Sequence, residues 1–233
     1  MVGIDKYELN KEVMTITIER FTAADITEAT RLTRLTWGEE MALANDHLKN
    51  ILYEAMVRYY FRSSEFSYKM VDEDGSIQGF LLAAPLTARD NSQKWLEGQL
   101  REYGTEEQDL VYNYLRYLSY NGQQVRKLAR ERDLLLCLFL SRKPGVGSKL
   151  LENVEEVARK QGIARMHLWA DATCDYSYYR RRGYKETGHF VNKVLPELGQ
   201  QATWIYSKEV RPWKSIPWWK IQSKMKIFAA SMA

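Results

Sequence analysis

The sequence predicts a mixed α/β fold, in which a central mixed sheet of six or seven strands carries flanking helices. An apolar segment, Leu134 to Leu140, precedes a glycine turn, an amphipathic helical segment and another strand, which is typical of a parallel crossover. Earlier segments alternate apolar and polar residues, as antiparallel strands do. The 233 residues, of which 45% are hydrophobic, fit one large globular domain and exclude a wholly disordered chain.

The first strand and helix are marked by alternation and by a capping signal. Met14 to Arg20 alternates β-branched with polar residues and is predicted to be a strand. Thr22 and Asp25 have the spacing of a capping box, so a helix is predicted from there to about Met41.

A second helix and a hairpin follow. Apolar residues fall on one helical face: Leu48, Ile51, Leu52, Ala55, Met56, Tyr59 and Tyr60. Phe66 to Met70 alternates, Asp74-Gly75 supplies turn chemistry, and Ile77 to Ala84 returns as a strand.

Residues 89–132 are polar and aromatic and are predicted to be a helical insertion. Its main helix is predicted to start at Thr105, with Gln108 at the capping-box position. Its apolar stripe consists of Leu110, Val111, Tyr114, Leu115 and Leu118. Because its ends flank the strand expected beside the site, we hypothesise a lid or substrate wall. The alternative is a helical hairpin that covers the sheet or makes a dimer contact.

The segment 134–190 has the clearest element order. Leu134 to Leu140 is apolar throughout, so we expect it to be buried on both faces at the centre of the sheet. The remaining elements are predicted to be a helix at Ser148–Gln161 ended by Gly162, a strand at Ile163–Ala170, a short helix at Asp175–Arg182 ended by Gly183, and strands at 184–190 and 202–210.

The glycine turn carries the strongest chemical signal. It reads Arg142-Lys143-Pro144-Gly145-Val146-Gly147-Ser148 between a strand and a helix. Unpaired amides at a helix N-terminus bind anions, phosphate above all, although a plain turn would also use glycines. A dinucleotide fingerprint is excluded because Leu150 replaces its third glycine, and Gly147-Ser148-Lys149 has the wrong order for a nucleotide phosphate loop.

The pattern Arg-x-x-Gly-x-Gly after a central strand resembles the acyl-CoA-binding motif of the GNAT superfamily of N-acetyltransferases. The segment from Tyr179 to Tyr184, with Gly183, is similar to that family's late Tyr-x-x-x-Gly-aromatic motif. The resemblance covers roughly 14–88 and 134–210. It departs from the family at Lys143, where glycine is usual, in a shortened loop before the motif, and in the insertion. It implies a GNAT-like domain over residues 1–210. The charge and tryptophan distribution sets residues 211–233 apart as a basic, Trp-rich tail.

The resemblance implies transfer of an acetyl group from acetyl-CoA to a primary amine of a small molecule or peptide, by direct attack on the thioester. Tyr179 would be the general acid, because a phenol is protonated at neutral pH. The residues implied to bind acetyl-CoA are Leu138, Phe139, Leu140, Arg142, Lys143, Pro144, Gly145, Val146, Gly147, Ser148 and Cys174. The alternative is a non-catalytic CoA-binding or regulatory module with the same fold.

Other polar residues give weaker signals. Asp171, Glu39 and Glu40 are candidate bases, but for each we favour the interpretation as a solvated carboxylate, and a water chain would serve instead. A covalent role for Cys174 has little support because no histidine lies at a diagnostic offset. No metal constellation is visible among the three scattered histidines, His47, His167 and His189.

Charge is distributed unevenly. Five of the 34 basic residues and none of the 30 acidic ones lie beyond residue 210, so the preceding chain is nearly neutral and no nucleic-acid partner is expected. The tail combines Trp213, Trp218 and Trp219 with basic residues, which would suit a membrane surface. Because Pro212 and Pro217 interrupt its apolar stripe, we favour packing on the body or on a second subunit.

Compartment signals are few. Two cysteines, Cys137 and Cys174, make neither a disulfide framework nor a zinc site, so a reducing cytoplasm is expected. No apolar run is long enough to span a bilayer. The N-terminus carries Asp5 and Glu8 and lacks the apolar core of a secretory signal.

Overall fold

The computed structural model describes residues 16–38, 45–90, 92–195 and 201–210. Within them, seven strands and six α-helices follow one another along the chain. The strands are β1 Thr17–Arg20, β2 Tyr68–Val71, β3 Ile77–Pro85, β4 Leu134–Ser141, β5 Arg165–Asp171, β6 Lys185–Asn192 and β7 Gln201–Glu209. The helices are α1 Ile26–Trp37, α2 Asp46–Tyr60, α3 Gln93–Gln99, α4 Thr105–Arg126, α5 Val146–Lys160 and α6 Tyr176–Arg181.

All seven strands form one sheet, in the order β1-β2-β3-β4-β5-β7-β6. Every neighbouring pair is antiparallel except β4 and β5, which are parallel and are connected in sequence by α5. The sequence prediction of a mixed sheet with a parallel crossover is therefore confirmed. Tail residues 211–233, with the predictions made for them, lie outside the described residues.

Strand β4 lies at the centre of the sheet, as its apolar sequence predicts. Five of its leucines are at most 6% exposed. Its pairing with β3 is interrupted at Cys137, because Leu82 pairs with Leu138 and Ala83 with Leu136. This bulge changes which side chains face which layer. Leu136 packs with α5, whereas Leu138 packs with α2.

Strands β4 and β5 separate soon after they start. Two residue pairs connect them, Leu134 with Met166 and Leu135 with His167, although β4 continues to Ser141 and β5 to Asp171. From Leu136 onward, the backbone groups of β4 that face β5 therefore lack a ladder partner on that strand. The result is a wedge-shaped gap in the middle of the sheet.

Helices cover both faces of the sheet around this gap. Helix α5 packs its buried side chains on one face, and the tyrosines of α6 pack beside it. Helices α1, α2 and α4 cover the other face. Helix α3 packs against α2 and α4 in a smaller cluster. The gap is thus the place where the two helical layers approach each other through the sheet.

Helix boundaries confirm some capping predictions and correct others. The Thr22 amide donates to Asp25 at 2.7 Å, as expected of a capping box, and begins a 3-10 turn over Ala23–Asp25 ahead of α1. Helix α1 ends at Trp37, before the predicted end near Met41, with Gly38 as C-cap. Residues 39–44 lie outside the described residues.

The start of α4 is capped differently from the prediction. Gly104 is the N-cap, and its amide donates to Glu107 at 3.1 Å. The Gln108 side chain instead donates to the carbonyl oxygens of Leu100 and Tyr103, at 3.0 and 2.8 Å. The pairing of Thr105 with Gln108 was wrong, because the glutamine joins α4 to the end of α3.

The glycines around α5 explain its limits. Gly145 has φ of +84° and is the N-cap, so α5 begins at Val146, before the predicted Ser148. Gly162, with φ of +72°, follows the end of the helix, as predicted. Gly147 lies within the helix, where a Cβ would come within 3.1 Å of the Phe139 ring. It is therefore needed for close packing rather than for the turn.

A series of hydrogen bonds between buried polar side chains connects the strands of the sheet near the paired residues of β4 and β5. The ring of His167 is 3.0 Å from Asp133 and 2.8 Å from the Ser207 hydroxyl, and Ser207 is 2.9 Å from Thr187. Burial lowers the pKa of His167, against the opposing effect of Asp133. A neutral imidazole donates to Asp133 and accepts from Ser207, so these hydrogen bonds join the start of β4 to β5, β6 and β7.

This histidine predicts a pH dependence of stability. Because its pKa is lower in the folded state, the unfolded chain binds the proton first, and the free energy of unfolding should fall as pH drops below about 6.5. Urea unfolding of the wild type and of His167→Gln at several pH values would measure this, and the slope should be smaller in the variant. The matched control is His189→Gln on β6, which is exposed and should keep the wild-type slope. Equal slopes in all three proteins would contradict the assignment.

Candidate active site

The glycine turn forms one wall of a groove on the α5 side of the sheet. The amides of Gly145 and Ser148 make no hydrogen bond with other described residues, and they lie at the N-terminus of the 15-residue helix α5. The amide of Gly147 donates to Ser141 Oγ at 3.1 Å. Two unpaired amides at the positive end of a helix dipole suit a phosphate group.

We call this cavity of about 410 Å³ the phosphate-end groove. Its walls are formed by Thr36, Trp37, Phe139, Ser141, Lys143, Pro144, Gly145, Gly147, Ser148, Thr173, Cys174, Asp175, Tyr178 and Tyr179. Most of the residues implied by the resemblance to bind acetyl-CoA are among them. Four are not: Arg142 is exposed beside the turn, Leu140 and Val146 are buried in the core, and Leu138 lines a second cavity described below.

A second cavity, of about 320 Å³, lies across the gap between β4 and β5. We call it the aromatic pocket, after the tryptophan and tyrosine rings that dominate its walls. They are Trp37, Tyr53, Tyr60, Tyr114, Tyr117, Trp169 and Tyr179, and they stand among Met56, Leu118, Cys137, Leu138, Phe139, Asp171, Thr173, Cys174 and Gln201. Five residues, Trp37, Phe139, Thr173, Cys174 and Tyr179, belong to both cavities. The two cavities therefore adjoin one another through the gap in the sheet.

Tyr179 stands where the two cavities meet. Its ring lies 6.2 Å from that of Tyr206 and 5.9 Å from that of Tyr184, which fixes its position on α6. Its hydroxyl forms no hydrogen bond with the other described residues, and burial raises its pKa far above the ordinary phenol value. The group therefore keeps its proton at neutral pH.

Cys174 also faces both cavities, but it is not an activated nucleophile. Burial, and then the negative charge of Asp171, raise the pKa of its thiol to about 12. A cysteine needs its thiolate to attack, and almost none is present at neutral pH.

Asp171 ends β5 inside the aromatic pocket and is 8% exposed. Its Oδ2 accepts a hydrogen bond of 2.6 Å from the Tyr117 hydroxyl, and its Oδ1 accepts from the Thr173 amide and hydroxyl at 3.1 and 2.7 Å. Burial, and then the charge of Asp171, raise the pKa of Tyr117. Of the three candidate bases, only Asp171 is placed in the site; Glu39 and Glu40 lie outside the described residues.

Most of the pocket residues that the sequence did not predict come from helices α1, α2 and α4 on the far face of the sheet. Helix α4 contributes Tyr114, Tyr117 and Leu118 to the aromatic pocket, while Val111 and Val125 anchor it in the core. Helix α4 of the insertion therefore both lines the pocket and covers part of the sheet. The many aromatic residues of the insertion were the sequence signal for its part in the pocket. Helix α2 carries no comparable signal, because its apolar stripe indicates only a buried helix face.

Tyr117→Phe should destabilise the protein by about 1.5–3 kcal/mol, since it removes a hydrogen bond to a buried carboxylate. Urea unfolding measures the loss. The matched control is Tyr120→Phe on the same helix, where the ring packs edge-on against Phe190 and the hydroxyl has no partner among the described residues. Equal losses in the two variants would show that the contact with Asp171 contributes nothing.

Two negative findings apply to the described ranges only. No group of three or more histidine, cysteine, aspartate or glutamate side chains gathers there as metal ligands. None of the helices described is both long and apolar enough to cross a membrane.

Solved structures resemble the chain over most of its length. SsHAT is 14% identical, with a TM-score of 0.57, and the match covers 84% of this chain and 98% of that one. The C-terminal condensation domain of Ebony, solved with beta-alanyl-dopamine, is 13% identical at a TM-score of 0.57, over 84% and 99% of the two chains. A polyamine N-acetyltransferase of Drosophila melanogaster is 14% identical, with a TM-score of 0.51, and the match covers 84% of this chain and 100% of that one.

No protein-family model and no curated protein matches the sequence. At identities of 13–14%, the structural matches establish the fold alone, which this chain shares with the polyamine N-acetyltransferase and with the condensation domain of Ebony. The seven-stranded mixed sheet, with its parallel pair opening into a gap, agrees with that architecture. The chain therefore has the fold of the GNAT N-acetyltransferases.

Proposed function

We propose that the protein transfers an acetyl group from acetyl-CoA to a primary amine. The observation that carries this proposal is the separation of β4 from β5 after two residue pairs, with a cavity on each side of the gap. A thioester held in that gap would be open to an amine from the other helical layer. The fold of the neighbouring structures supports the same reaction type.

The donor fits the phosphate-end groove. The unpaired amides of Gly145 and Ser148 would hold the pyrophosphate at the helix N-terminus, and Lys143 on the groove wall adds positive charge. The backbone of Leu138 to Leu140, which lacks a partner on β5, would hydrogen-bond the pantetheine arm as an added strand does. An amide of this segment would also stabilise the oxyanion.

The chemical step forms one bond and breaks another. The neutral amine attacks the thioester carbonyl carbon, the tetrahedral intermediate collapses, and the C–S bond breaks with its electron pair on sulfur. Tyr179 donates its proton to the departing thiolate. An ammonium group must lose one proton to become the neutral amine, and the attacking nitrogen loses a second as the amide forms. Asp171, which lines the aromatic pocket, would accept one of these protons directly or through water, and solvent would take the other. Solvent returns a proton to Tyr179.

The test is release of the CoA thiol from acetyl-CoA, measured across a panel of small amines, polyamines and peptides. We expect amine-dependent release with at least one small amine, because the acceptor side is a cavity of about 320 Å³ lined mainly by aromatic rings. Acetyl-CoA binding without turnover of any amine would favour the non-catalytic CoA-binding module. Absence of both binding and turnover would refute the proposal.

A further inference from the structure

A third cavity, of about 540 Å³, lies beside the aromatic pocket on the same face of the sheet. The two share Tyr60, Leu118 and Trp169 as a common wall. Three arginines line the new cavity: Arg62, Arg89 and Arg126. We call it the arginine pocket. Since one arginine follows α2, one follows β3 and one ends α4, the fold brings together three charges that are distant in sequence.

The described residues provide no ion-pair partner for any of these three arginines, whereas Arg58, Arg165 and many others have one. The one carboxylate on the pocket wall is Asp90, and it accepts the Ser92 amide at 2.8 Å. Three like charges around one cavity repel each other, so an anion placed among them would be strongly favoured.

Two of the guanidinium groups are held in place. Arg62 donates through Nε to the Tyr59 carbonyl at 2.7 Å and lies over the Tyr59 ring at 4.3 Å. Arg126 donates through Nη1 to the carbonyl of Leu86. A guanidinium has five N–H donors, so each keeps several for a ligand. Fixed arginines lose little freedom on binding, and their planar forks match carboxylate and phosphate oxygens.

The shared wall supplies a further polar group. Tyr60 is 3% exposed, and its hydroxyl is buried without a hydrogen-bond partner among the described residues. Buried hydroxyl groups are normally paired, so an unpaired one beside two cavities is expected to meet a ligand or water. Tyr60 belongs to both the aromatic pocket and the arginine pocket.

We propose that the arginine pocket receives an anionic group, a carboxylate or a phosphate ester, at the end of the acceptor opposite its amine. The inference rests on the proposed function. Asp171 would face the amine end in the aromatic pocket, the aromatic walls would surround an apolar body, and the arginines would face the anion. The distribution of charge in the two pockets matches a zwitterionic acceptor whose opposite charges are separated by an apolar spacer.

The first test compares matched acceptors. We would measure kcat/KM for para-(aminoethyl)benzoate, for its uncharged primary amide and for the phosphate ester of tyramine. At least one of the two anionic acceptors should have a higher kcat/KM than the amide. The anionic acceptor with the higher value identifies the preferred anionic group. Arg126→Gln should lower kcat/KM for that anion about 10- to 100-fold and remove its advantage over the amide. Arg126→Lys, which keeps the charge, should restore part of it.

Arg116→Gln is the matched control, because Arg116 lies on the same helix, is exposed and is not part of the pocket wall. It should retain the wild-type preference. The proposal would be overturned if the amide had the same kcat/KM as both anionic acceptors. It would also be overturned if Arg126→Gln lowered kcat/KM equally for the anionic acceptor and the amide.

Calorimetry without acetyl-CoA separates this proposal from the proposed function. The same anions would be titrated into the wild type, Arg62→Gln and Arg126→Gln. Binding that is lost in both variants, with no acetylation of any amine, would retain the anion site and refute acetyl transfer. Acetylation without any anion preference, together with no anion binding, would retain acetyl transfer and refute the anion site.

Discussion

Tyr179→Phe is expected to lower kcat by about 10²–10⁴-fold while leaving the Kd for acetyl-CoA nearly unchanged. The ring would keep its packing against Tyr206 and Tyr184, so the cavity shape should persist. Only the proton available to the departing thiolate is removed. Steady-state kinetics with the best acceptor, together with calorimetry of acetyl-CoA binding, would separate the two effects.

Tyr178→Phe is the matched control for this experiment. Tyr178 is the adjacent tyrosine on α6 and lines the phosphate-end groove, but it is not part of the aromatic pocket. Its replacement should therefore affect acetyl-CoA binding more than kcat. Wild-type turnover by Tyr179→Phe would mean that the tyrosine only packs, and that a water molecule or another group supplies the proton.

Gly147→Asp is expected to abolish acetyl-CoA binding. A Cβ atom at this position would crowd the Phe139 ring and Ser141, approaching them to 3.1 and 3.3 Å. A carboxylate would in addition bring a negative charge beside the Gly145 and Ser148 amides, where the pyrophosphate is expected to bind. At an effective dielectric constant of about 20, two unit charges 4 Å apart repel each other by about 4 kcal/mol. Calorimetry with acetyl-CoA measures the loss.

Gly147→Asn separates charge from crowding, because asparagine has the size of aspartate and no charge. Gly147→Asn should weaken acetyl-CoA binding by crowding alone. Gly147→Asp should bind acetyl-CoA at least about 100-fold more weakly than Gly147→Asn. Thermal unfolding of both variants would establish that the fold is intact. If the two bound acetyl-CoA equally well, the phosphate would not lie at this turn.

The central part of the fold could be predicted from sequence because its signals are local. The apolar run of β4 requires burial on both faces, and the glycines at positions 145 and 162 mark the limits of α5 through their positive φ angles. These signals depend on a few neighbouring residues. The start of α5 was misplaced by two residues because Gly147 suggested a turn, whereas its lack of a side chain serves packing against Phe139.

The site could be predicted only in part. The glycine turn and Tyr179 follow from short motifs, but the aromatic pocket depends on contacts between distant segments. The hydrogen bond between Tyr117 and Asp171 joins residues 54 positions apart. The bulge at Cys137 depends on the register of two strands. Nothing in the sequence pattern around Arg62 or Arg126 indicates that the two side chains line one cavity.

A crystal structure of the protein with CoA bound tests the central claim most directly. We expect the pyrophosphate at the amides of Gly145 and Ser148, the pantetheine arm along Leu138 to Leu140, and the sulfur beside the Tyr179 hydroxyl. In that arrangement the thioester of acetyl-CoA would face the aromatic pocket through the gap between β4 and β5. CoA bound on another surface, or a sulfur atom directed away from the gap, would contradict this account.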